Sequence, residues 1–356
     1  MPHTDAEVSL GLDQVPESMR AWRVTALGEP ADALSLDTVP VPAPAAGEVL
    51  VKVAAVAANF PDVLLCRGEY QVRPDLPFTP GIEVVGTVVA LGAGVEGSAG
   101  VEGSAGLAGL AVGARVVGSK IGVLSEYAVL PAADVWAAPE ALTDAEASGL
   151  TVAYQTAWFG LHRRAALQAG EWLLVHAAAG GVGLAAVQLG VEAGARVIGV
   201  VGSAEKAAVA REAGAEVVLV RGTDDLVAGV KTATGGHGAD VVFDPVGGAA
   251  FEASTKCVAF EGRIVVVGFA GGTIQTVPAG HVLVKNYSVL GLHWGLYPRV
   301  RPDLIGDARA ELTRLADAGA VRPVVDHTVP FERAPEALTA LAAGGTVGRV
   351  VIELGS

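Results

Sequence analysis

"EWLLVHAAAGGVGLAAVQLGVEAG" (171–194) decides the fold. An apolar run of strand length (171–177) meets a glycine-rich turn. The turn opens a largely apolar stretch (181–194) that ends at another glycine. Strand, tight turn and helix is the reading that fits this order. The rhythm then repeats. "ARVIGVV" (195–201), "AEVVLV" (215–220), "ADVVFDPV" (239–246) and "GRIVVVGFA" (262–270) read as strands. "SAEKAAVAREAG" (203–214), with Ser203 as its N-cap, "TDDLVAGVKTAT" (223–234) and "AAFEASTKCVA" (249–259) read as helices between them. Near-continuous Val/Ile strands alternating with helices predict an α/β fold whose parallel sheet is covered on both faces. "NYSVLGLHWG" (286–295) offers one further strand.

The chain on either side reads differently. "AWRVTAL" (21–27), "GEVLVKVAAVA" (47–57), "EVVGTVVAL" (83–91) and "ARVVGS" (114–119) are strands separated by Pro and Gly turns. Helices are expected at about 303–318 and 332–343, with a closing strand "GRVVIEL" (348–354). This tail is expected to return to the first, β-rich part. An exact tandem repeat, "VEGSAG" at 95–100 and 101–106, is too short for a solenoid and reads as an exposed loop.

Composition narrows the partners. The chain has 356 residues, enough for two domains, and is 51% hydrophobic, so large cores are available. A net charge of −14 argues against a general nucleic-acid or anionic-membrane surface. Cys66 and Cys257 make neither a disulfide framework nor a Cys-rich zinc lobe, which fits a reducing cytoplasm. The first twenty residues are polar and acidic and do not read as a signal peptide. The uncharged stretches 172–191 and 264–284 are broken by glycine clusters and read as strand–loop–helix or strand–loop segments, not as membrane spans.

The turn "HAAAGGVG" (176–183) suits a phosphate. Gly180 is read as the tight turn, Gly181 as open space for a pyrophosphate, and Gly183 as the close packing of helix on strand, with Val182 completing the loop. The free N–H groups of the helix start face the anion. An NAD site usually has an acid at the end of the next strand, to hold the ribose 2′-hydroxyl. Here the strand ends in "GVVGSAEK" (199–206), with Val201, Gly202 and Ser203 at the turn. Read alone, Ser203 is a helix cap, and Lys206 and Arg221 are solvated charges. Read together beside the glycine turn, the three predict a pocket for the 2′-phosphate of NADPH.

These residues resemble a known family. "NFPDVLLCRGEYQ" (59–71), "FTPGIEVVGTV" (78–88), "HAAAGGVGLAAVQL" (176–189), "VFDPVGG" (242–248) and "VGFAGG" (267–272) are similar to the zinc-independent quinone oxidoreductases of the medium-chain dehydrogenase/reductase superfamily. The resemblance implies a GroES-like β-rich catalytic domain built from 1–145 and 297–356, around a Rossmann domain at 146–296. Zinc relatives place a Cys before an x-x-Asp stretch and a His in Gly-His-Glu. Here the same positions hold Asn59 and Ile82, neither a good zinc ligand, so no metal is expected.

The resemblance further implies catalytic roles for Asn59, in orienting the nicotinamide or substrate, and for Tyr70, in contacting or protonating the acceptor. Cofactor contacts are implied for Tyr154, Phe269 and Arg349, the last reaching a phosphate. The segment 287–294 resembles the family's edge strand, which implies a homodimer. The expected activity is hydride transfer from NADPH to a quinone or similar electron-poor small molecule. An enoyl-thioester or enone reductase shares the same features. A non-catalytic NADPH-binding regulator is the reading from another class.

Overall fold

A computed structural model of the chain describes residues 15–95 and 110–355. The chain divides into two compact units, Ala153–Arg301 and a unit made of Met1–Val152 with Pro302–Ser356. The tandem repeat lies outside the described residues, apart from its first valine.

The unit Ala153–Arg301 holds a six-stranded sheet. Its strands are Trp172–His176, Arg196–Val201, Val217–Val220, Ala239–Asp244, Val258–Val266 and Ser288–Gly291. Every neighbouring pair is parallel. Counted within the unit, the strand order is 3-2-1-4-5-6, the doubly wound arrangement. All five residues of Trp172–His176 are buried, as a central parallel strand requires. Leu174, Ile198, Val242, Phe251 and Ile264 sit together in the core. The order reverses between Trp172–His176 and Ala239–Asp244. Ligands of such sheets bind beyond the carboxyl ends of the strands at that point.

The other unit is β-rich. The strand Glu48–Ala57 lies at its centre, paired antiparallel with Glu83–Leu91, Tyr127–Pro131 and Arg349–Glu353. The closing strand therefore does return, with Val351 opposite Ala57. Val49, Val51, Val84, Val116 and Ile352 form part of one core.

Local boundaries depart from the sequence reading at informative places. The helix expected from Ser203 begins at Lys206 and runs to Glu212, and Ser203 caps nothing. Glu205 occupies the cap position already in helical conformation (φ −62°, ψ −34°), so the three residues before Lys206 are a turn. The last strand is shorter than expected, Ser288–Gly291. The helices Phe60–Arg67 and Thr151–Trp158 were not marked by periodicity, because both are apolar on most sides. No helix among the described residues is long and apolar enough to cross a membrane.

Candidate functional site

The glycine turn builds an anion cradle. The helix Gly181–Glu192 starts after Gly180, whose extended backbone (φ −92°, ψ 171°) offers no side-chain cap. The first N–H groups of this helix are thus left for a ligand. Gly180 donates its N–H to the Ala177 carbonyl at 2.9 Å and accepts from Leu184 N–H at 2.8 Å. The tight turn falls on Ala177, at φ 50°, and not on Gly180. Gly183 is the glycine that sterics demand, since a Cβ there would collide with the Ala177 carbonyl. Gly181 and Val182 are half-buried at the helix start. These features fit a pyrophosphate.

The turn after the second strand carries Ser203 and Lys206, and Arg221 stands against it. Arg221 donates its backbone N–H to the Val201 carbonyl at 2.9 Å, which sets it beside the strand end. Its Nη2 lies 3.5 Å from where a Cβ on Gly202 would stand. Ser203 is half-buried in the same turn, and Lys206 opens the helix that follows. The turn also contains Glu205, which the sequence reading passed over. The Ser203 hydroxyl donates to its carboxylate and holds it below the ordinary glutamate range.

Tyr154 and Phe269 part company. Tyr154 is 1% exposed and its hydroxyl donates to Gln188 Oε1 at 2.7 Å, so it braces the phosphate-loop helix from inside. The cofactor contact expected of Tyr154 falls on a residue that is buried in its own unit. Phe269 is 37% exposed on the segment leaving Val258–Val266, at the ligand-binding end of the sheet.

Two buried groups near that end carried no local signal of importance. Asp244 is fully buried, and its Oδ1 accepts the Val246 and Gly247 N–H groups, each at 2.9 Å. It thereby shapes the turn between Ala239–Asp244 and the helix Ala249–Cys257. His176, at the base of the glycine turn, meets Ser254 Oγ at 2.7 Å. Ser254 gives its own proton to the Ala250 carbonyl, so the imidazole is the donor. Burial pushes the His176 pKa down, which keeps the ring neutral.

In the β-rich unit, Asn59, Glu83 and Arg349 form one buried network. Asn59 precedes the helix Phe60–Arg67, and the Asp62 carboxylate accepts its backbone N–H at 2.9 Å. Its side-chain Nδ2 donates to Ala57 O at 3.1 Å and to Glu83 Oε1 at 3.0 Å. Its Oδ1 accepts from Arg349 Nη2 at 3.0 Å. Arg349 pairs directly with Glu83, whose other oxygen accepts the Val152 N–H at 2.6 Å. Arg349 is 6% exposed, and burial lowers its pKa to about 10, still charged at neutral pH. Its guanidinium, expected to reach a phosphate, is the counter-charge of this buried network. Asn59 likewise has no amide proton left over and is itself buried.

Asp62 lies within the field of Arg349. Burial raises its pKa to about 7, against the pull of the Asn59 and Gly81 N–H groups and the Arg349 charge. Tyr70 is half-buried against the core, and burial together with Asp62 raises its pKa. Its hydroxyl is protonated at neutral pH.

A metal does not fit here. Ile82 cannot ligate, the Asn59 amide is taken up by Glu83 and Arg349, and a dication would face a guanidinium. Among the described residues no group of three or more His, Cys, Asp or Glu could hold a metal ion.

Comparison with known proteins agrees with both units. Residues 45–140 match a family described as alcohol dehydrogenase GroES-like domain, and residues 181–306 one described as zinc-binding dehydrogenase. A quinone oxidoreductase-like protein 2 homolog of Nematostella vectensis is 36% identical over 309 residues, covering 86% of this chain and 81% of the relative. The chain belongs to the quinone oxidoreductase family of the medium-chain dehydrogenase/reductase superfamily. Quinone oxidoreductase of Escherichia coli, solved with NADPH, superimposes with a TM-score of 0.84 at 29% identity, over 94% of this chain and 99% of that one. A mycobacterial protein solved with NADPH does so with a TM-score of 0.84 at 33% identity, over the same shares. Membership makes the chain an oxidoreductase with a GroES-like and a Rossmann domain. The zinc in one family description has no ligand set at Asn59 and Ile82 of this member.

Proposed function

We propose that this chain is an NADPH-dependent reductase that delivers hydride to quinones and similar electron-poor acceptors without a metal. The observation that carries the reading is the Asn59–Glu83–Arg349 network. It ties up the Asn59 amide with Glu83 and a buried guanidinium, at the position where the resemblance puts the thiolate of zinc relatives. Without a Lewis acid, oxidising an alcohol at neutral pH is difficult. Reducing a quinone is easier, because the developing oxyanion is delocalised and needs alignment and a hydrogen bond more than charge neutralisation.

NADPH, when bound, supplies the hydride. The start of Gly181–Glu192 binds the pyrophosphate through unpaired N–H groups and the helix dipole. Arg221, Lys206 and Ser203 hold the 2′-phosphate. Phe269 offers an apolar face at the same sheet end. Tyr70 gives a hydrogen bond, and then its proton, to the reduced acceptor. Its raised pKa keeps that proton in place until the oxyanion forms. Asn59 and Arg349 act as positioning residues that fix the helix carrying Asp62 and the loop carrying Tyr70.

A homodimer through the edge strand Ser288–Gly291 is part of this reading. Among the described residues that strand pairs on one side only, with Val258–Val266. Nearby in sequence, Leu283 and Val284 are 77% and 78% exposed, an apolar load that a second copy would cover.

The acceptor is tested by following NADPH oxidation with a panel of quinones, enones and enoyl-CoA thioesters. The expected result is the highest kcat/KM with a quinone. A higher value with an enoyl-CoA thioester would reassign the acceptor while keeping the coenzyme.

A further inference from the structure

We infer that the β-rich unit carries a binding site for a small organic anion, a carboxylate on an apolar body, in the cavity between its first β-hairpin and the turn 120–125.

The cavity measures about 370 Å³, within the range of small-molecule sites. The strand Ser18–Val24 pairs antiparallel with Leu34–Pro40, which sets Met19 opposite Val39. These two side chains, with Pro40 and Pro42, make an apolar wall. Thr79, Lys120, Ile121 and Tyr127 line it as well. The hairpin is fastened to both neighbouring segments. Trp22 donates its N–H to the Leu124 carbonyl at 3.1 Å, and Val24 donates to the Phe78 carbonyl at 2.7 Å. None of Asn59, Tyr70, Glu83 and Arg349 lines this cavity.

Charge decides what the cavity fits. Arg23 and Lys120 stand on its wall, and no acid among the described residues lines it. That is a local exception in a chain of net charge −14. Arg20, on the same strand as Arg23, pairs with Glu126 and Glu332. Arg23 has no carboxylate partner among the described residues. Its Nη2 donates to the Pro77 carbonyl, and its Nε is buried and unpaired. Lys120 Nζ donates to the Val129 carbonyl at 2.9 Å and lies 3.7 Å from Glu48 Oε1, beyond hydrogen-bond reach. Thr79 and Tyr127 are half-buried, and neither hydroxyl bonds to a described residue. A carboxylate here meets two cations and two hydroxyl donors, while an apolar body lies against Met19, Val39 and Pro40. A ligand cation would be repelled, and a neutral molecule of the same shape would gain only the apolar contact. Because Lys120 is 39% exposed, the charge effect is screened by salt.

The test titrates the full chain with benzoate and with benzamide by calorimetry. Saturating NADPH is present, so that the groups that hold the coenzyme phosphates are occupied. At low salt benzoate should bind about tenfold more tightly than benzamide, and the difference should shrink as salt is added. Lys120→Met and Arg23→Met should each weaken benzoate about threefold or more and leave benzamide nearly unchanged. NADPH affinity, measured alongside, should be that of the wild type in both variants, which separates loss of the site from loss of the fold. No detectable benzoate binding, or equal affinities for benzoate and benzamide, would overturn the inference. A benzoate affinity that survives both substitutions would also overturn it, by putting the bound carboxylate elsewhere.

Discussion

Arg221 shows how one side chain can be read in two ways until its neighbours are placed. Its backbone bond to Val201 and its approach to Gly202 set a surface charge beside the strand end, where the proposed reading needs a ligand for the second coenzyme phosphate. Arg221→Ala should weaken NADPH binding by about tenfold and leave NADH nearly unchanged, read by fluorescence titration of both. Equal losses for the two would point to a general fold defect. Arg349 is the opposite case. Arg349→Met leaves Glu83 buried without its partner and should cost about 3–5 kcal/mol in urea unfolding. Asp62 adds a pH signature. Its folded pKa of about 7 lies above the unfolded value of about 3.9, so folding favours the protonated form. The resulting stability is full below the unfolded pKa and is lost as pH rises to about 7. Asp62→Asn should therefore gain stability relative to wild type between pH 4 and about 7, and hold that gain above it. A difference that stays flat across this window would contradict the burial-driven shift.

At the level of elements, the strand–turn–helix from Trp172 to Glu192 was legible because its signals are local. A fully buried strand has no polar alternation, and a glycine that must pack on the Ala177 carbonyl stays a glycine. Gly183→Val should destabilise the chain and abolish pyrophosphate binding together, since the added Cβ meets backbone, not a side chain that can move aside. The next helix start was misread for an equally local reason. Ser203 has the composition of an N-cap, but Glu205 accepts its hydroxyl proton and the helix waits until Lys206. The edge strand Ser288–Gly291 was expected from its apolar run, and its free side is where a second copy should pair. Light scattering at micromolar concentration should return twice the chain mass. A monomer mass would remove this strand from any interface.

Across the whole molecule, the two-unit architecture and the return of the closing strand were readable from rhythm alone. The buried Asn59–Glu83–Arg349 network was not. Arg349 reaches Asn59 across 290 residues of sequence, and no local pattern records that a guanidinium will be buried there or which carboxylate it will neutralise. Family resemblance pointed to Asn59 and Arg349, and the geometry shows them joined as one buried network. That network is also what makes the metal-free chemistry the central claim. It is tested most directly by following NADPH oxidation with a benzoquinone acceptor, using the full chain before and after exhaustive treatment with a chelator. The account predicts quinone-dependent oxidation at the same rate in both. Oxidation that disappears on chelation and returns with added zinc would contradict it.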